Sequence, residues 1–134
     1  MRILIAEDDF VCRSLLQEIL AKYGSCHAAS NGREAVEAFE AKLKEGEPYD
    51  LVCLDIMMPE MDGQEALRTI RQIEKDNGVG GTDGSKIIMT TALDDAKNIM
   101  TAFIKGSCEG YITKPIDYAK LQEELTKLGF QPLA

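Results

Sequence analysis

Apolar residues fall in short runs and helical stripes that alternate along the chain. Arg2 to Ala6 is a short, nearly continuous apolar run, the pattern of a buried strand, and it turns acidic at Glu7. Val11, Leu15, Leu16, Ile19, Leu20 and Tyr23 then recur at helical spacing before Gly24 offers a stop. Cys26 to Ala29 forms a second strand. The turn Asn31-Gly32 leads into a second helical stripe of Ala35, Val36, Phe39 and Leu43. Leu51-Val52-Cys53-Leu54 is apolar on both faces, as a central parallel strand should be, and ends on Asp55.

Turn residues from Pro59 to Gly63 precede a third helix carrying Ala66, Leu67, Ile70 and Ile73. The segment Asp76 to Ser85 holds four glycines and reads as a surface loop. Its G-x-G does not open a helix after a strand, so it is no nucleotide fingerprint. Lys86 to Thr90 makes a fourth strand, followed by a helix with Ala96, Ile99, Met100 and Phe103. Tyr111-Ile112-Thr113 makes a fifth strand that Lys114-Pro115 breaks, and Leu121, Leu125 and Leu128 line a last helix stopped at Gly129. Strands alternating with helices predict an α/β fold: a doubly wound, five-stranded parallel sheet with five helices covering both faces. The 134 residues suffice for one compact domain, expected to span 1–134.

The formal net charge of -8 opposes nonspecific binding to nucleic acid or to an anionic membrane surface, since the mean field repels phosphate. Any phosphate chemistry must then be local and served by a cation. No run of about 18 apolar residues suggests a membrane span, and the first strand lacks the form of a signal peptide, so a cytoplasmic protein is expected. Cys12, Cys26, Cys53 and Cys108 form no C-x-x-C pair and read as buried thiols.

The chemistry gathers where strands run out: Glu7-Asp8-Asp9, Asp55, Thr91-Ala92 and Lys114-Pro115. Strand ends on one edge of a parallel sheet converge, so these pieces can share a pocket. Crowding Asp8, Asp9 and Asp55 is unfavourable unless protons or a cation compensate, and Mg²⁺, which takes hard oxygen ligands, suits the role.

Glu7-Asp8-Asp9, then Leu54 to Gly63 (LDIMMPEMDG), then Met89-Thr90-Thr91-Ala92, then Gly110 to Pro115 (GYITKP) resemble, in this order and at these distances, the receiver domain of two-component response regulators, the CheY-like family with flavodoxin-like topology. The resemblance covers essentially the whole chain. It implies that Asp55 is the nucleophile accepting a phosphoryl group from a histidine kinase or phosphotransfer protein. Asp9 and Asp55 would ligate Mg²⁺ directly with the backbone carbonyl of Met57, and Asp8 would act mainly through bound water. Lys114 would neutralise the phosphoryl oxygens, Thr91 would offer a hydroxyl, Ala92 would leave room, and Lys114-Pro115 resembles the family's cis peptide.

The resemblance further implies a switch in which Thr91 moves toward the phosphate and Tyr111 turns inward. That would alter the face of the fourth helix, fifth strand and fifth helix, where an unidentified output protein docks. Met57 and Leu93, two positions beyond Asp55 and Thr91, would set the lifetime of the acyl phosphate, and being bulky and apolar would slow its hydrolysis. No independent enzyme activity is implied. The short tail after the last helix favours a stand-alone receiver over a piece of a longer regulator or hybrid kinase. A flavin carrier on the same fold is disfavoured because acids replace its phosphate loop. A Mg²⁺-dependent phosphatase with an aspartyl nucleophile would need a general acid where Met57 stands.

Overall fold

The computed structural model describes residues 1–58, 60–79, 84–91 and 108–133. Strands β1 (Arg2–Ala6), β2 (Ser25–Ala29), β3 (Leu51–Asp55), β4 (Lys86–Thr91) and β5 (Gly110–Thr113) form one sheet in the order β2-β1-β3-β4-β5. All four pairings are parallel. Helices α1 (Phe10–Leu20), α2 (Gly32–Lys44), α3 (Gly63–Asp76) and α4 (Tyr118–Lys127) accompany them. The sequence-predicted helix between β4 and β5, with Ala96, Ile99, Met100 and Phe103, lies outside the described residues.

Side chains alternate across each strand, so the sheet sends one set of residues to each face. Leu4, Ala6, Val52, Leu54, Ile87 and Met89 pack against Ala35 and Phe39 of α2 and Ala66, Leu67 and Ile70 of α3. Ile3, Ile5, Leu51, Cys53, Ile88 and Ile112 pack against Leu16, Ile19 and Leu20 of α1 and Leu121 and Leu125 of α4. This two-sided burial explains why β3 reads as an unbroken apolar run: every one of its residues is buried. At about 1.5–3 kcal/mol for each large apolar side chain removed from water, the two cores are the main source of stability.

The chain moves outward from β1 to β2, then crosses back to β3, so the strand order reverses between β1 and β3. In such sheets ligands bind beyond the carboxyl ends of the strands at that reversal. At the opposite end of the sheet, Arg71 of α3 donates to both carboxylate oxygens of Glu109 at 2.9 and 3.0 Å, and to the Ser85 carbonyl at 2.8 Å. Glu109 in turn accepts from the Ile87 amide at 2.6 Å. This clamp fixes the entry of β5 on β4, and with it the level at which Lys114 leaves the sheet. Among the described residues no helix is long and apolar enough to cross a membrane.

Candidate functional site

Strand register decides which side chains meet. Ala6 pairs with Leu54, so Glu7, one residue past β1, stands level with Asp55 at the end of β3. Asp55 pairs with Thr90 and Thr91 with Thr113, so Thr91 and Lys114 emerge on the same edge. The loop after Asp55 is drawn tight by the Gly63 amide donating to the Ile56 carbonyl at 2.8 Å. A Cβ at Gly63 would collide with the Asp55 carbonyl, so glycine is required for α3 to start this close to the nucleophile candidate.

The ammonium of Lys114 lies 2.7 Å from Glu7 Oε1 and 3.0 Å from Asp55 Oδ2. Both carboxylates are buried: Glu7 is 0% exposed and Asp55 3%. Neither oxygen of Glu7 receives a well-aligned hydrogen bond, and the Lys114 ammonium is the cation that faces it. Asp55 Oδ1 accepts from the Met57 amide at 3.2 Å. The Lys114-Pro115 peptide is cis.

Two buried carboxylates facing one ammonium leave negative charge in excess. Burial, and then the neighbouring Glu7 carboxylate, push the Asp55 carboxyl from 3.8 up to about 7, against the partial relief given by Lys114. Burial alone would lower Lys114, but Glu7 and Asp55 outweigh it and raise its pKa. A carboxyl tuned this way holds a proton near neutrality when no cation is bound, and exchanges it for a cation when one is.

Carboxylate oxygens of Glu7, Asp8 and Asp55 lie within 4.8 Å of one another, close enough to hold a metal ion together. Asp8 is exposed and Glu7 and Asp55 are buried, so the group opens to solvent on one side. Asp9 goes elsewhere. It is the N-cap of α1, its side chain accepting from the Cys12 amide at 3.0 Å, and it groups with Glu7 and Cys12, not with Asp55. Asp is a favoured N-cap because its oxygen satisfies an amide that the first helical turn leaves unpaired.

Thr91 is the last residue of β4 and is 1% exposed, and its carbonyl accepts from the Lys114 amide at 2.6 Å. Tyr111 sits on β5 and is 42% exposed, and Met57, just after Asp55, is 65% exposed. Ala92 and Leu93 lie outside the described residues. Glu7 is the site residue that the sequence reading underweighted: it contacts Lys114 and completes the group with Asp8 and Asp55. The available signal was its place directly after the apolar run of β1.

A family model described as the response regulator receiver domain matches residues 3–126. The chain belongs to that family. This receiver is 36% identical over 130 residues to the chemotaxis protein CheY of Thermotoga maritima, covering 96% of this chain and 97% of that protein. It is also similar to the Saccharomyces cerevisiae Ssk1 receiver domain solved with the histidine phosphotransfer protein Ypd1, at TM-score 0.80 and 31% identity over 96% of this chain and 88% of that one. A further structural relative comes from a CheX–CheY–BeF3–Mg complex of Borrelia burgdorferi, at TM-score 0.79 and 28% identity over 98% and 90%. The receiver identity makes the chain a signalling module of two-component type.

Proposed function

We propose that this receiver, residues 1–134 acting as one unit, accepts a phosphoryl group on Asp55. The observation that carries the reading is the buried Asp55 carboxylate, held by Lys114 and level with the Glu7–Asp8 pair at the switch point of the sheet. The oxygen-only donor set of Glu7, Asp8 and Asp55 fits a hard divalent cation of the Mg²⁺ kind. Asp8 and Asp55, with the Met57 backbone carbonyl, are assigned as its ligands, and Glu7 acts at longer range through Lys114. When bound, Mg²⁺ supplies positive charge against the equatorial phosphoryl oxygens.

The protein residues do the rest. An Asp55 oxygen attacks phosphorus of a phosphohistidine; the P–O bond forms as the P–N bond breaks, and the imidazole leaves with its electron pair. Lys114, charged throughout because its pKa is raised, exchanges part of its contact with Asp55 for a phosphoryl oxygen. The Thr91 hydroxyl donates to another oxygen and, with Tyr111, couples the new charge to the face of β5 and α4.

The donor would be a sensor histidine kinase or a phosphotransfer protein in the cytoplasm, and an output protein would dock on that face. The only catalysis is of its own phosphorylation and hydrolysis. Met57 and Leu93 would limit hydrolysis, since neither can orient an attacking water. Met57 also stands where an aspartyl phosphatase would carry its general acid, which disfavours turnover of phosphoesters.

The test is intact-mass measurement after incubation with acetyl phosphate and Mg²⁺, on the parent and Asp55→Asn. One phosphoryl group is expected on the parent only, and none in excess EDTA. Label persisting on Asp55→Asn would place the acceptor elsewhere, and sustained release of phosphate would favour a phosphatase.

A further inference from the structure

The turn carrying the acids is gripped by a residue outside the chemistry described above. Arg13, on the first turns of α1, directs Nη1 back to the Glu7 carbonyl at 2.8 Å and to the Asp8 carbonyl at 3.4 Å. Its guanidinium also lies over the Phe10 ring, 5.6 Å from the centroid. The Glu7 amide is held from the other side by the Ala29 carbonyl at 3.0 Å, and Asp9 is held by its cap on Cys12. Between these fixed points, the direction in which Asp8 projects is set by the peptide units whose carbonyls Arg13 binds.

We propose that Arg13 is a positioning residue for the cation site, locking the Glu7 and Asp8 carbonyls so that the Asp8 carboxylate is presented to Glu7 and Asp55. The proposal rests on the assignment of Glu7, Asp8 and Asp55 as the cation-binding group. The need for such a lock follows from charge. Three carboxylates within 4.8 Å repel one another, and Asp8, the exposed one, is free to rotate away unless its backbone is fixed. A guanidinium on carbonyl oxygens fixes the backbone and leaves every carboxylate oxygen available to the metal.

Two effects of Arg13 on cation binding have opposite signs. Its positive charge repels an incoming cation, so a purely electrostatic role predicts tighter Mg²⁺ binding when the charge is removed. Orientation of the ligands acts the other way, and loss of an outer partner that orients a metal ligand weakens metal binding by about 10–100-fold. Orientation is expected to prevail because the contact to the Glu7 carbonyl is a direct hydrogen bond of 2.8 Å, while the charge acts across solvent at the mouth of the site.

Calorimetric titration of the unphosphorylated protein with Mg²⁺, for the parent, Arg13→Ala and Arg13→Lys, decides the matter, with melting in EDTA run in parallel. Arg13→Ala is expected to raise the Mg²⁺ Kd about tenfold, with Arg13→Lys, which retains a single donor, falling between. An unchanged or lower Kd in Arg13→Ala overturns the proposal, whatever the change in melting temperature. If Arg13→Ala does not fold, Arg13→Lys alone decides, and a Kd equal to the parent's overturns it. A parent that binds no Mg²⁺ removes the cation site itself, whereas a parent that binds and is labelled on Asp55 alongside an indifferent Arg13→Ala removes only the positioning role.

Discussion

Neutralising Asp55, the proposed phosphoacceptor, should make the metal-free protein more stable. The folded state raises the Asp55 carboxyl from 3.8 to about 7. A carboxyl raised on folding binds more protons in the native than in the unfolded chain between those values, so stability falls as pH rises through that window, and the full cost is present above it. At 1.36 kcal/mol per unit, the shift corresponds to an upper limit of about 4 kcal/mol at pH 8. Lys114 is already included, since its attraction is one of the influences that set the shifted value. Relaxation and water entry at the open side reduce the cost of burying charge, and about 2 kcal/mol is the expected gain for Asp55→Asn.

For a chain of this size such a gain raises Tm by roughly 6–10 °C. The assay is thermal and urea unfolding of parent and variant in EDTA at pH 8 and pH 5. Near pH 5 the native Asp55 already carries its proton, and the gain should fall to less than half its value at pH 8. Saturating Mg²⁺ should close the gap from the other direction by stabilising the parent in proportion to its occupancy. A variant no more stable than the parent at pH 8, or a gain of the same size at both pH values, would refute the picture of Asp55 as a buried, undercompensated acid.

Lys114→Met keeps the aliphatic stem but leaves Glu7 and Asp55 without their ammonium, and should cost about 3 kcal/mol at pH 8 in urea unfolding, with much of the loss recovered at pH 5. Equal stability of parent and variant at pH 8 would mean that the two carboxylates are compensated by something else. Asp9→Ala should lower stability by about 1 kcal/mol while Asp9→Asn, which keeps a capping oxygen, should not. Both should bind Mg²⁺ like the parent, and weakened binding in Asp9→Asn would return Asp9 to the ligand set. Met57→Asn supplies an amide that can orient water beside Asp55, and should speed loss of the phosphoryl group measured by intact mass over time; an unchanged or slower loss sinks the lifetime argument.

The fold was legible because a parallel sheet buried on both faces leaves short apolar runs, bounded by turn residues and alternating along the chain with helical stripes. The runs ending at Ala6, Leu54 and Thr113 located the site edge to within a residue. That single residue is also where legibility stopped. In a run of three acids, composition cannot say which one faces the sheet edge, because successive residues leaving a strand point in different directions. The pairing of Ala6 with Leu54 makes Glu7 the inner acid, and Asp9, which caps α1, groups with Glu7 and Cys12 while Asp8 groups with Glu7 and Asp55. Arg13 was invisible for a related reason: its partners are backbone carbonyls five and six residues earlier, and carbonyls carry no sequence signal.

The three adjacent acids therefore have three different electrostatic situations. Glu7 is buried and offset by Lys114, Asp8 is exposed beside the proposed cation site, and Asp9 accepts an amide hydrogen bond at a helix N-terminus where negative charge is favoured. Removing charge has a different sign at each: neutralising a buried acid relieves repulsion, whereas truncating the cap removes a favourable contact. Stability in the metal-free state and affinity for the metal are thus opposed within one turn of chain, since the repulsion that destabilises the empty site is what a divalent cation relieves. A receiver built this way would gain its proposed cation affinity from charge repulsion that the surrounding fold, with the close approach of Gly63 and the contacts of Arg13 to the Glu7 and Asp8 carbonyls, holds in place.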